Sequence, residues 1–146
     1  MKVYLDTSFL VSLYAPDVNS AAAARVMQTS QNVHLVSTLA ELEGVNALEL
    51  RIFRKEISPA QARTSLRFFE ADLRAGVFQL IPLEEECFGR ALQISRQLTA
   101  SLGTRTADLL HVAVALESES DYLYSFDRQQ RKLAQTLKLK VNQFAG

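Results

Sequence analysis

Cysteine is nearly absent from this chain of 146 residues. Cys87 stands alone, which excludes an intramolecular disulfide framework and fits a reducing compartment. Histidine is scarce too: His34 and His111 lie far apart, and no cluster of nitrogen and sulfur donors suggests zinc. Charge of one sign is also lacking. Sixteen basic residues balance sixteen acidic ones, so no global field draws in nucleic acid, although a nuclease with an acidic site and a local basic rim stays compatible. No apolar run is long enough to span a bilayer, and the first residues lack the charged–apolar–small pattern of a secretory signal. A soluble, cytoplasmic protein is expected. What is there is globular composition, 48% apolar and 22% charged, over a length that suits a single domain, 1–146, with a real core.

Strand-like and helix-like patterns alternate along the chain. The spacing predicts strands at Lys2–Leu5, His34–Ser37, Phe78–Ile81, Tyr122–Phe126 and Lys140–Phe144. Helices are expected at Phe9–Tyr14, Ala21–Gln28, Leu39–Lys55, Pro59–Arg74, Glu84–Leu102, Thr106–Ser118 and Arg128–Leu137. The punctuation agrees: Ser58 is a cap before Pro59 at a favoured first position, and Gly76 and Gly103 close helices. Strands separated by helices imply an α/β fold, a mostly parallel sheet of about five strands covered on both faces. In such open sheets, sites form beyond the carboxyl ends of the strands.

Acids stand at those places. VYLDTSFL puts Asp6 directly after the first strand, with Thr7 and Ser8 beside it, and YLYSFD puts Asp127 after the fourth, two positions beyond Ser125. In the helix after the second strand, Leu39, Glu43, Asn46, Leu50 and Phe53 share one stripe at about 100° per residue, so Glu43 is expected on the apolar face and Glu41 on a solvated edge. Glu43 and Asp108 both lie near a helix N-terminus, where the macrodipole favours an anion. Each acid alone has an ordinary reading as an Asx turn, a cap or an arginine partner. Collected at one sheet edge, they would repel one another unless a cation sat among them. Oxygen donors without Cys or clustered His suit Mg²⁺ or Mn²⁺, ions that polarise phosphate oxygens and activate water.

Four segments then carry a family likeness: VYLDTSFLVSLY, STLAELEGVNALELRIFR, GTRTADLLHVAVAL and YLYSFDRQQRKLA. The chain resembles PIN-domain ribonucleases, specifically the VapC-like toxins of type II toxin–antitoxin pairs. The resemblance implies a PIN-like three-layer α/β/α fold and an Mg²⁺- or Mn²⁺-dependent endoribonuclease that hydrolyses RNA phosphodiester bonds. It places the catalytic and metal-binding quartet on Asp6, Glu43, Asp108 and Asp127. It also implies a homodimer inhibited by a cognate VapB-like antitoxin. Ser125 stands where the family commonly has Thr, which keeps the hydroxyl. Thr7, Ser8 and Ser125 are expected to orient the carboxylates, and Glu43 to be either a direct ligand or the group that orients a water as base.

Other readings are weighed beside this one. A catalytically silent PIN-fold protein that binds a partner or RNA is the alternative. A phosphatase with an aspartyl nucleophile, like the haloacid-dehalogenase enzymes, would want a second Asp two positions on, where Ser8 stands. His111 lies one turn after Asp108 and is expected as a packed, hydrogen-bonded histidine; His34 is read as structural. Arg105 is read as a local ion-pair partner of Asp108 or a phosphate contact. The basic runs at Arg51, Arg54 and Lys55 and at Arg128, Arg131 and Lys132 are read as solvated faces. Phe68, Phe69 and Phe78 are expected in the core, and Asp17, Asp72 and Asp121 in caps, surfaces or loops. RNA-contacting residues and the RNA itself are not specified by the sequence.

Overall fold

The structure, a computed structural model, describes residues 1–143. Five strands, β1 (Lys2–Leu5), β2 (Val33–Ser37), β3 (Gln79–Ile81), β4 (Tyr122–Tyr124) and β5 (Lys140–Val141), form one sheet in the order β3-β2-β1-β4-β5. Every pairing is parallel; Tyr4 aligns with Leu35 on one side and Leu123 on the other. The helices are α1 (Thr7–Tyr14), α2 (Ser20–Thr29), α3 (Thr38–Phe53), α4 (Pro59–Arg74), α5 (Glu85–Ile94), α6 (Ala100–Leu102), α7 (Thr106–Glu117) and α8 (Arg128–Thr136). The expected PIN-like α/β architecture is present. Phe144, the predicted end of the last strand, lies outside the described residues.

Alternation along β1 builds two cores. Successive strand side chains point to opposite faces, so Tyr4 packs with Leu35, Leu123 and the α5, α7 and α8 residues Ala91, Val112 and Leu133. Val3 and Leu5 pack the other way, with Val36, Phe9, Ala23 and Phe69 of α1, α2 and α4. Full burial of such side chains stabilises by roughly 1.5–3 kcal/mol each, which is why the short central strand is almost wholly apolar. β1 is also where the chain order reverses: β2 and β3 extend the sheet to one side, β4 and β5 to the other. That switch opens a crevice at the carboxyl ends of β1 and β4.

Three expectations are corrected. The buried positions of α3 are Ala40, Gly44 and Leu48, while Leu50 and Phe53 are exposed, so the helix is rotated relative to the predicted stripe. This face packs on α1, where a Cβ at Gly44 would lie at an ordinary contact distance, 3.8 Å, from Leu10 Cδ2. Phe68 is 64% exposed, unlike Phe69 and Phe78, which are in the core. The predicted long helix from Glu84 is interrupted by a π-helical turn, Ser95–Thr99, where Thr99 Oγ1 donates to Ser95 Oγ at 3.1 Å. Gly103 then closes α6 in the left-handed region, φ 67°.

Candidate functional site

Asp6 does two things at the end of β1. Its backbone N–H extends the ladder to Tyr124 O at 3.1 Å, and its side chain caps α1, Oδ1 accepting from Phe9 N at 3.0 Å and Ser8 Oγ at 2.7 Å. It is 3% exposed. Burial pushes its carboxyl above the ordinary value, against the pull of His111 and of hydrogen bonds from Ser125, Phe9 N–H and Ser8. A carboxylate in that position is uncomfortable as an anion unless positive charge is brought to it.

The second strand end repeats the pattern. β4 stops at Tyr124 rather than the predicted Phe126, because the Ser125 N–H turns to the side chain of Asn142, donating to Oδ1 at 2.7 Å. Asp127 then caps α8, Oδ1 accepting from Gln130 N at 3.1 Å. Ser8 and Ser125 join the two strand ends. Their hydroxyl oxygens lie 3.3 Å apart, Phe126 N donates to Ser8 Oγ at 2.9 Å, and Asp127 N to Ser125 Oγ at 2.9 Å. Ser8 Oγ thus reaches the Asp6 carboxylate, and Ser125 Oγ the backbone of Asp127.

Asp108 sits in the first turn of α7, 5% exposed. Its Oδ2 accepts from Arg105 N at 3.3 Å and Arg105 Nε at 3.4 Å. The same guanidinium donates to Asp127 Oδ2 at 3.0 Å, so Arg105 bridges α7 and the start of α8. Gln130, a polar residue with 1% exposure on the face that carries Leu133, fastens the two helices from below, donating to Asp108 O at 3.1 Å. Gln130 and Asn142 are not among the residues that the sequence singles out. The signal for Gln130 is its place three and four positions before the buried Leu133 and Ala134.

Glu43 reaches the same crevice from the flank of α3 rather than from its buried face. Oε1 accepts from Thr7 Oγ1 at 2.7 Å and pairs with His111 Nε2 at 2.5 Å. Partial burial acts upward on this carboxyl, but the bonds from His111 and Thr7, with help from Arg105, outweigh it and hold the group below its ordinary range. His111 is indeed packed and hydrogen-bonded, 3% exposed, and its Nε2 edge also faces the site.

All four acids line one open cavity of about 580 Å³, together with Thr7, Ser8, Arg51, Arg105 and Gln130. Asp17 borders it too, accepting from Ser12 Oγ at 2.7 Å. Of the basic runs, only Arg51 reaches the lining; Arg131 turns inward to donate to Ser125 O at 3.3 Å. The donor set is oxygen-only, since His111 Nε2 is engaged with Glu43 and Cys87 belongs to the core under α5. In donor chemistry these residues fit a hard divalent cation. Among the described residues, however, no group of three or more His, Cys, Asp or Glu stands in an arrangement that could hold a metal ion. The expected convergence is therefore one of cavity, not of coordination, and Arg105 provides the positive charge between Asp108 and Asp127.

The sequence matches the PIN domain family over residues 3–135. The chain belongs to the PIN domain family. Its fold is shared with VapC20 of Mycobacterium tuberculosis, described as a sarcin-ricin loop cleaving toxin: TM-score 0.65, 19% identity, 89% of this chain and 93% of that one covered. It is shared with VapBC2 of Rickettsia felis bound to a DNA fragment from their promoter: TM-score 0.66, 16% identity, 99% of each chain. A toxin–antitoxin complex from Klebsiella pneumoniae also matches, at TM-score 0.63, 12% identity, 88% and 89% coverage. No curated protein matches the chain. In this PIN domain no helix among the described residues is long and apolar enough to cross a membrane.

Proposed function

We propose that this PIN domain is a divalent-metal-dependent endoribonuclease, the toxin of a type II toxin–antitoxin pair. The observation that carries the proposal is the gathering of Asp6, Glu43, Asp108 and Asp127, from four separate elements, around one cavity at the switch point of the sheet. As they stand, Asp6, Asp108 and Asp127 share a cavity rather than a coordination shell, so they would hold Mg²⁺ or Mn²⁺ once Arg105 gives up the oxygens of Asp108 and Asp127, with Glu43 beside them. The ion, when bound, supplies charge stabilisation for the phosphodiester and a lowered pKa for attacking water.

The chain's own residues do the rest. Glu43, tied at Oε1 by Thr7 and His111, offers its other oxygen as acceptor for a water proton. Ser8 and Thr7 keep Asp6 and Glu43 in fixed orientation from adjacent positions of α1. Arg105, two-thirds exposed, can exchange Asp127 for a phosphate oxygen without disturbing the core. Single-stranded RNA is the accessible substrate, because its unstacked backbone can enter an open crevice. Support for a toxin with an antitoxin partner comes from the family and from the toxin and toxin–antitoxin structures that share the fold. A homodimer is part of the proposal, and apolar side chains left in solvent, Leu42, Phe53 and Phe68, offer surface for such partners.

The test is expression of the chain alone and with its neighbouring gene, with cleavage ends mapped in cellular RNA. Growth arrest relieved by the neighbour, and cleavage by purified protein that needs Mn²⁺ or Mg²⁺, are the expected results. Asp6→Asn should lower cleavage by well over about 100-fold, more than loss of an outer contact would. Cleavage by Asp6→Asn at the wild-type rate, or cleavage indifferent to chelator, overturns the proposal. A protein that binds a partner but neither metal nor scissile RNA would be the silent PIN-fold alternative.

A further inference from the structure

Beneath Glu43 a file of polar side chains runs back into the apolar core. Ser37 at the end of β2 and Tyr4 in the middle of β1 are both 0% exposed, and His111 on α7 is 3% exposed. Tyr4 Oη lies 2.7 Å from Ser37 Oγ and 2.6 Å from His111 Nδ1, and His111 Nε2 meets Glu43 Oε1. Three elements thus carry a continuous hydrogen-bonded path from the core to a carboxylate at the cavity wall. Nothing about packing requires it: phenylalanine would fill the place of Tyr4 with no polar atom to satisfy.

The path has a direction. Ser37 Oγ accepts the Ala40 N–H at 3.1 Å as the cap of α3, and its own hydrogen has Tyr4 Oη as acceptor. Tyr4 stays protonated, since burial pushes its hydroxyl up, and with Ser37 donating to it, its hydrogen goes to His111 Nδ1. Nδ1 is then the bare nitrogen of the ring, and the hydrogen sits on Nε2, aimed at Glu43. Running the path the other way leaves the Ser37 hydroxyl hydrogen without an acceptor in a fully buried place, at a cost of about 1–3 kcal/mol. Thr7 Oγ1 adds the second donor to the same oxygen of Glu43. With Oε1 holding two donors, Oε2 is the atom left for the cavity.

We propose that Tyr4 and His111 are positioning residues: Tyr4 fixes His111 as the Nε2–H tautomer, and that N–H pins Glu43 by Oε1 so that Oε2 alone serves the cavity. The role of Glu43 in that statement rests on the nuclease reading, whereas the tautomer does not. The path acts on the rotamer and free lone pairs of a carboxylate, the kind of outer contact whose loss costs about 10–100-fold in metal affinity.

The experiment uses the full chain labelled with ¹⁵N, and reads the protonation of each histidine ring nitrogen from its ¹⁵N shift and its couplings to the ring protons. Only two histidines are present, so a His111→Gln spectrum assigns the ring signals by difference. His111 is expected to show a bare Nδ1 and a protonated Nε2 in the wild type, and to lose that single tautomer in Tyr4→Phe. Titration with Mn²⁺ is expected to show affinity reduced by about 10–100-fold in Tyr4→Phe and in His111→Leu. His111→Gln, whose amide can donate to Glu43 from a similar place, should retain affinity within a few fold. A protonated Nδ1 in the wild type overturns the proposal, as does unchanged Mn²⁺ affinity in both Tyr4→Phe and His111→Leu. Should Tyr4→Phe fail to fold, the Leu and Gln variants at 111 still decide, by differing or by binding alike. Absence of any Mn²⁺ binding by the wild type would instead overturn the nuclease reading, and the ring spectrum would then judge the tautomer by itself.

Discussion

At the scale of single residues, charge placement dominates the site. Asp6 is a nearly buried carboxylate whose burial outweighs its hydrogen bonds, so it lowers the stability of the protein as an anion and is relieved by neutralisation. Asp6→Asn keeps an oxygen for the Phe9 N–H and removes the charge. Its metal-free melting temperature should equal or exceed that of the wild type, while cleavage is lost; a clear fall in melting temperature would show that the charge is compensated. Arg105 is the second such residue. It is 69% exposed along its side chain, so its bridges to Asp108 and Asp127 contribute at most about 1 kcal/mol. Because the guanidinium and a divalent ion would compete for the same oxygens, Arg105→Ala should bind Mn²⁺ more tightly and RNA more weakly. Calorimetric titration with Mn²⁺ checks this, and equal affinities for the two proteins would exclude the competition.

At the scale of elements, three of the four acids stand at helix starts, so their structural and chemical duties overlap and substitutions can separate them. Asp127 caps α8 through Gln130 N while its other oxygen faces Arg105. Asp127→Asn should retain the cap and stability but lose cleavage, whereas Asp127→Ala should lose both, with about 1 kcal/mol less stability in urea denaturation. Helix α3 offers the opposite case. Gly44 faces Leu10 at an ordinary contact distance for a Cβ, and its backbone is helical, so Gly44→Ala should stabilise by roughly 0.5–1 kcal/mol. A loss of stability would mean that α1 and α3 need the closest approach glycine allows. This helix also marks where periodicity misled. The stripe through Leu39, Leu50 and Phe53 is real in the sequence, but the sheet, α1 and α4 bury the stripe of Ala40, Gly44 and Leu48. The neighbours of α3, namely α1, α4 and β2, decided the rotation, and periodicity within one helix carries no record of them.

At the scale of the molecule, the sheet order makes the site. With β2 and β3 to one side of β1 and β4 and β5 to the other, the first turns of α1 and α8 open toward the same crevice. An ion bound there would join β1, β4 and α7, so Mn²⁺ at about a hundred times its dissociation constant should add about 2.7 kcal/mol and raise the melting temperature by several degrees. Asp6→Asn should abolish that rise; an equal rise in the variant would place the ion elsewhere. The sequence by itself determined the alternation of strands and helices, the capping residues, and the positions of Asp6, Asp108 and Asp127 at element ends, because these follow from local propensity and hydrogen bonding between near neighbours. It also pointed to Glu43, although by a face that proved exposed. Tertiary structure alone decided which flank of α3 meets the crevice, that Arg105 spans two acids from α7 and the start of α8, and that Tyr4, Ser37 and His111 form one path to Glu43. Those contacts join residues tens of positions apart, and no local energy term in the chain ranks one such meeting over another until the sheet fixes where each element lies.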